Sequence, residues 1–250
     1  MLGIKRFLET TPVVRALYWH FFARWRVARE RERWATLPAD RVFREIYDAN
    51  RWGDAESRSG TGSNLRETET VRRELAALLP RRAIRSISDV PCGDFCWMSR
   101  MDLGSIAYFG GDIVPDLIAT NRSKYKQPGI RFEIFNLLAD PLPAADLLIC
   151  RDCLVHLSLR DIFRALQNIL ASDTRFLLTT TFTSVTENRD IVTGEWRMIN
   201  LERPPFCLPP PLELIKENCR EHETSASKSL ALWEIATLRR HASASGWIQT

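Results

Sequence analysis

Ser88-Asp89-Val90-Pro91-Cys92-Gly93-Asp94-Phe95, followed nineteen residues after Gly93 by the aspartate of Tyr108-Phe109-Gly110-Gly111-Asp112-Ile113, is the stretch on which the fold turns. Each half reads as a strand running into a turn with a carboxylate at its end. Residues 83–90 carry Ile84, Ile87 and Val90 and stop at Pro91-Cys92-Gly93, where a glycine lets backbone approach a ligand. A carboxylate at the tip of the next strand is placed to accept two hydrogen bonds from a ribose diol. Open α/β sheets hold nucleosides in this way, at the carboxyl ends of their strands.

The same turn excludes some nucleosides. A dinucleotide site needs G-x-G-x-x-G so that a helix N-terminus can reach a pyrophosphate. Here a single glycine is followed directly by Asp94, whose charge would repel a pyrophosphate. A ligand with a cationic end and no phosphate suits it, and S-adenosylmethionine (SAM) has a ribose, an α-ammonium group and a sulfonium. On Asp89-Val90-Pro91-Cys92-Gly93-Asp94 and the later Arg151-Asp152-Cys153-Leu154-Val155-His156, the chain resembles the class I SAM-dependent methyltransferases, in a bacterial-type subgroup, over roughly residues 41–239. The first motif departs from the commoner three-glycine form, which leaves the substrate class open.

The resemblance implies an α/β, Rossmann-like class I methyltransferase fold, with a mostly parallel seven-stranded sheet and an antiparallel terminal strand pair. It implies that Asp89, Gly93 and Asp94 hold the amino-acid end of SAM, that Asp112 binds the ribose, and that Asn136 with Leu137 takes the adenine, with Cys92, Ile113 and Arg151 also against the cofactor. Asn136 stands where relatives often carry Asp, and its carbonyl oxygen can accept from the adenine amino group. Arg151–His156 would lie beside the methionine part, with His156 or Asp152 facing the acceptor. A hydroxyl acceptor must lose one proton, and the ordinary pKa of histidine suits that work. The other reading of His156 is a ring that packs on a neighbouring loop. Of the four histidines, His20, His222 and His241 fall outside the expected sheet edge.

Outward from the two motifs, strands and helices alternate. Residues 83–90, 106–113, 130–135, 146–151 and 175–182 read as strands, and 97–103, 115–125 and 159–170 as helices, which argues a parallel sheet covered on both faces. Before them lie helices at 41–49 and 65–79, the second capped by Asn64 and stopped at Pro80. Between these two, the Gly/Ser loop 57–63 is either a linker or, by the resemblance, a cover over the cofactor with Trp52 as an apolar wall. After them come strands at 212–220 and 228–238 joined by Glu221-His222-Glu223-Thr224, then a tail, 241–250.

Residues 184–211 form a Pro-rich insertion after the fifth strand, and a segment of this length without structure of its own is commonly a lid or binding loop. Asn188, Trp196, Arg197, Asn200 and Phe206 are its substrate-contact candidates, suited to a polar, ring-shaped ligand such as a sugar. The expected acceptor is therefore a hydroxyl on a small molecule or a glycan.

At 250 residues the domain has core enough to need no disulfides, and its composition is that of a globular protein. The net charge of +4 conceals an asymmetry: residues 1–33 hold eight basic and three acidic side chains, so the remainder is close to neutral. Such a body lacks the basic surplus of a nucleic-acid binder, and the Asn/Asp-Pro-Pro-Tyr type of motif that holds a flipped base is missing after the fourth strand. Val14, Leu17, Tyr18, Phe21, Phe22 and Trp25 fall at helical spacing among arginines, making residues 1–40 a basic aromatic N-terminal helix ahead of the domain at 41–240. It either docks on the domain or another subunit, or makes peripheral contact with a membrane through residues 1–33. No apolar h-region or membrane span is evident, and six cysteines without a secretory signal point to free thiols in the cytoplasm. Cys92, Cys96, Cys150 and Cys153 fall near neighbouring strand ends, yet buried thiols are expected there and no metal. A radical-SAM cluster is excluded because its third cysteine would be Ser99. The competing classes are a nicotinamide- or nucleotide-sugar-binding oxidoreductase and a non-catalytic SAM-fold subunit.

Overall fold

The computed structural model describes residues 24–219 and 226–244. Most of the 14–25 aromatic stripe and the 221–224 turn lie outside the described residues. The chain divides into two compact units, Met1–Pro38 and Ala39–Thr250. In the first, residues 24–34 form a helix with most side chains exposed, and Arg29 lies over the Trp25 ring at 4.9 Å.

The second unit is built on a seven-stranded sheet: β1 Ser86–Asp89, β2 Ala107–Asp112, β3 Ile130–Ile134, β4 Leu147–Cys150, β5 Phe176–Phe182, β6 Glu213–Lys216 and β7 Lys228–Glu234. Their spatial order is β3-β2-β1-β4-β5-β7-β6. The first five run parallel, and β7 is antiparallel to both β5 and β6. Buried on both faces, the central strands read as continuous apolar or β-branched runs, Leu147-Leu148-Ile149-Cys150 and Phe176-Leu177-Leu178-Thr179-Thr180-Thr181-Phe182. The threonine hydroxyls of β5 stay satisfied: Thr179 donates to Cys150 O at 2.7 Å, and Thr181 accepts from Leu201 N at 3.2 Å.

Five helices accompany the sheet: α1 Ala39–Asp48, α2 Glu69–Arg81, α3 Pro115–Lys124, α4 Leu159–Ala171 and α5 Ile235–Ala244. One core collects α2 and α3 residues such as Leu75, Leu78 and Ile118 with Ile87 and Ile149; the other collects α4 and α5 residues such as Ile162, Leu166 and Leu238 with Leu148 and Leu177. Helices thus cover both faces.

Three expectations need correction. The helix expected from Leu65 begins at Glu69, because Asn64 Oδ1 accepts the Glu67 N–H at 2.9 Å and Thr68 Oγ1 bonds back to Asn64 O at 2.7 Å, which makes 64–68 a turn of its own. Pro80 sits inside its last turn, where a missing N–H removes only one bond. The stretch 97–103 holds a single 3₁₀ turn, Met98–Arg100. The strand expected over 228–238 ends at Glu234, where its partner β5 begins, and Ile235, Leu238 and Ala242 then bury one helical face.

Candidate active site

A cavity opens at the carboxyl ends of β1 to β4. Its floor is Asp89–Gly93, Asp112–Val114, Phe135–Leu138 and Arg151–Cys153, with His156 and Leu157 beyond; Phe43 and Tyr47 of α1 and the loop residues Trp52, Arg58, Ser59 and Ser63 close over it. Of the expected cofactor residues, Asp89, Cys92, Gly93, Asp112, Ile113, Asn136, Leu137 and Arg151 line it.

The β1 turn is shaped by Gly93, whose φ of +54° lies in the left-handed region. Its N–H donates to Asp112 Oδ2 at 3.1 Å, and Val114 N–H donates to Oδ1 at 3.0 Å. Ile113 N–H adds a third backbone donor, so of the carboxylate's roughly four acceptor sites about one is left for a ribose hydroxyl. Burial raises Asp112 to about 6 against those N–H donors, and raises Asp89 to about 7 although Tyr108 and Arg151 pull it back.

Asp94 does not line the cavity. Its carboxylate accepts from Ser57 Oγ at 3.1 Å, Arg58 N at 2.8 Å and Cys96 N at 3.2 Å, while its own N–H donates to Ser59 Oγ at 3.0 Å. The aspartate expected to meet the ligand instead clamps the Gly/Ser loop down on the turn. Asn136 lines the cavity, yet its Oδ1 already accepts the Leu138 N–H at 3.0 Å, so the adenine contact expected of it falls to that oxygen's second lone pair.

Beyond β4, Arg151 and Asp152 enter a buried ionic cluster with Glu217 and Lys228. Arg151 reaches Glu217 at 2.6 Å and Asp152 at 3.2 Å, and Lys228 reaches Asp152 at 2.6 Å and Glu217 at 3.3 Å. Thr180 Oγ1 accepts the Asp152 N–H at 2.8 Å, holding a residue whose φ is +51°. Burial alone would raise Asp152, but Lys228 and Arg151 outweigh it and hold the carboxyl well below the usual range. A carboxylate so paired is a poor proton acceptor, which removes Asp152 as a base. The clustering of Glu217 and Lys228 is a feature the linear pattern does not show.

His156 fits better. Its Nδ1 lies 3.0 Å from Glu195 O and its ring packs on Trp52 with centroids 4.9 Å apart. Since a carbonyl only accepts, Nδ1 carries the proton and Nε2 the lone pair. Burial lowers its pKa to about 4 in spite of the Glu195 carbonyl and Asp152, so the ring is neutral near pH 7.

No protein-family model matches the sequence, and neither does any curated protein. Solved structures do. Magnesium protoporphyrin IX methyltransferase from Synechocystis PCC 6803 with bound SAM matches at TM-score 0.56 and 12% identity, over 80% of this chain and 98% of that one. N-methyltransferase NodS from Bradyrhizobium japonicum WM9, in complex with S-adenosyl-L-homocysteine (SAH), matches at TM-score 0.53 and 12% identity, over 76% and 97%. Human N-acetylserotonin methyltransferase in complex with SAM matches at TM-score 0.49 and 17% identity over 79% of this chain, which spans 60% of that enzyme's length. This chain has the class I methyltransferase fold.

The insertion at 184–211 sends a few side chains into the core while much of it stays exposed. Ile199, Leu201 and Phe206 are fully buried, with Phe206 5.5 Å from the Phe163 ring. None of the five expected substrate contacts lines the cavity. Asn188 Nδ2 donates to Asn200 O at 2.9 Å, Asn200 Nδ2 to Val185 O at 2.9 Å, and Arg197 to the main chain of Leu154 and Leu157. Trp196 is 53% exposed and meets Phe182 edge-on. The amides of Asn188 and Asn200 serve the loop's own backbone and the Arg197 guanidinium serves the turn at 154–157, since carbonyls removed from water need donors. The cavity residues that sequence reasoning missed, Phe43, Tyr47, Leu138 and Leu157, gave no signal beyond apolar periodicity.

The six cysteines are free thiols. Among the described residues no cluster of three or more His, Cys, Asp or Glu side chains is arranged to hold a metal ion.

Proposed function

We propose that the chain is a SAM-dependent methyltransferase acting on a hydroxyl of a small-molecule or glycan acceptor. The observation that carries this is Asp112: a buried carboxylate at the β2 tip, bonded to the glycine turn of β1 and lining the cavity. A dinucleotide would need a phosphate cradle where Asp94 and Ser59 instead close the turn. The acidic Asp89 at the floor suits the α-ammonium group, Asp112 the ribose, and Leu137 with Phe135 the adenine face.

Bound SAM supplies a methyl group already activated on a sulfonium, transferred in line with loss of SAH. What remains for the protein is alignment and one proton. Nε2 of His156 accepts the proton of the acceptor hydroxyl as its oxygen turns nucleophile, and passes it to solvent afterwards. Its pKa, lowered by burial to about 4, keeps that nitrogen unprotonated and free to accept near pH 7 while making it a weaker base than an ordinary imidazole. Phe43, Trp52, Leu138 and Leu157 form an apolar rim beside it, on which one face of a sugar or other ring can stack.

The test is calorimetric titration with SAH, with Asp112→Ala as control. Micromolar binding lost in the variant supports the reading and opens a screen of hydroxylated acceptors with labelled SAM. Binding of NAD without SAH would return the oxidoreductase reading, and SAH binding without turnover of any acceptor the non-catalytic one. We also propose that residues 1–33 bring the domain to the inner face of a membrane, since the described part is an exposed arginine-rich helix. Among the described residues no helix is long and apolar enough to cross a membrane. Deleting 1–33 should abolish partitioning onto anionic vesicles; unchanged partitioning overturns the anchor.

A further inference from the structure

Residues 193–197 of the insertion run alongside the turn that carries His156 and bond to it at every step. Arg197 Nη1 donates to Leu154 O at 2.9 Å, and Arg197 Nη2 donates to Leu157 O at 2.7 Å. Between them, Arg197 N–H donates to Val155 O at 3.0 Å and Gly194 N–H to His156 O at 2.8 Å. Four consecutive carbonyls are therefore taken by one stretch of chain. Ser158 N–H donates to Thr193 Oγ1 at 3.0 Å, and that hydroxyl donates to Asp161 Oδ2 at 2.7 Å. The imidazole itself closes the set through Nδ1 and Glu195 O at 3.0 Å.

We propose that Arg197 is the positioning residue for His156: its fork holds the Leu154 and Leu157 carbonyls, keeps the turn against Glu195, and so keeps Nε2 as the proton-accepting nitrogen at the cavity. The proposal rests on His156 being the base of the methyl transfer proposed above. A guanidinium is fitted to this work because its planar fork spans two carbonyls at once, where an ammonium is a point charge. The side chain is buried, with Asp190 as its charged neighbour and Arg189 O at 3.2 Å as a third main-chain acceptor. Release of the fork frees the turn to rotate, and the imidazole then loses the one contact that selects its tautomer. The charged groups around the ring are Asp152 and Lys228 of the ionic cluster and Arg197 itself, while Trp52 covers one face.

Histidine NMR on the full chain tests this without an acceptor, the His156 imidazole ¹⁵N signals being those lost in His156→Gln. Wild type should show a proton on Nδ1 and a titration midpoint well below the ordinary value. Arg197→Gln should show mixed tautomers and a midpoint raised by about one unit or more toward the ordinary value near 6.5. Arg197→Lys keeps the charge but loses the fork, and should fall between. With an acceptor in hand, kcat should drop by about 100-fold in Arg197→Gln with KM for SAM unmoved, the cost of a small misplacement of a reacting group. If Arg197→Gln shows no cooperative melt, Arg197→Lys carries the reading. A wild-type ring protonated on Nε2, or a folded Arg197 variant with tautomer and midpoint unmoved, overturns the proposal. Failure of wild type to bind SAH counts against the methyltransferase reading instead, and calorimetry measures it separately.

Discussion

The phenol of Tyr108 on β2 donates to Asp89 Oδ2 on β1 at 2.7 Å, beneath the cavity floor. The bond crosses two adjacent strands and fixes the carboxylate that burial would otherwise neutralise. Burial still raises Asp89 to about 7, with the Tyr108 hydrogen bond and Arg151 opposing it. As pH falls through that value Asp89 gains a proton and the cavity loses a negative charge. SAH affinity should therefore weaken between pH 8 and 6. Asp89→Asn should bind more weakly at pH 8 and lose that step, keeping only the one near 6 that belongs to Asp112. Calorimetry across this range checks it, and a flat wild-type profile would sink the assignment.

Gly93 has little room for a side chain. A Cβ there would lie 2.3 Å from Ser59 Oγ, and the φ of +54° adds strain of about 1 kcal/mol or more. Gly93→Ala should lower the melting temperature and cut SAH affinity at least tenfold, because the N–H that orients Asp112 moves with the turn. Equal affinity in the two proteins would show that the turn does not set the site.

Asp94 is expected to act as a latch. Asp94→Ala removes acceptors from Ser57, Arg58 and Cys96 at a cost of roughly 1–3 kcal/mol. Trypsin should then cut after Arg58 at least several-fold faster than in wild type, with saturating SAH restoring part of the protection. Unchanged cleavage would mean that the loop is held by something else.

Lys228→Met should be among the most damaging single changes outside the cavity. It leaves Asp152 and Glu217 sharing Arg151 alone, and breaking such a buried set typically costs about 3–5 kcal/mol. The stabilisation of Asp152 by its cations is complete above the ordinary carboxylate pKa of about 3.9 and is lost as pH falls below it. The deficit of the variant in denaturant unfolding should accordingly be full at pH 7 and narrow in strong acid. A loss below about 1 kcal/mol at pH 7 would place the cluster among weak surface pairs.

Much of this site is legible in the linear pattern because it depends on local rules. A strand that ends in Pro-Cys-Gly and a second that ends in an aspartate nineteen residues later point to a nucleoside edge, and Gly93, Asp112 and His156 line the cavity found there. Asp94 and Arg197 show where the pattern stops. Both are polar residues in segments expected to meet ligands, and both spend their hydrogen bonds on neighbouring loops and turns instead. Which partner a polar side chain takes depends on what lies about 3 Å from it, and apart from Cys96 N the Asp94 carboxylate takes partners 35 to 37 residues away in sequence.

By itself, then, the sequence determined the alternation of strands and helices, the acidic tips and the single glycine turn, since these follow from periodicity and from the φ only glycine adopts freely. Only the tertiary structure decided that the Pro-rich insertion anchors Ile199, Leu201 and Phe206 in the core, that Asp152 belongs to a buried ionic cluster, and that His156 is a neutral ring with its lone pair on Nε2. Burial, charge pairing and tautomer are set by neighbours brought together from distant parts of the chain, and no local pattern encodes them.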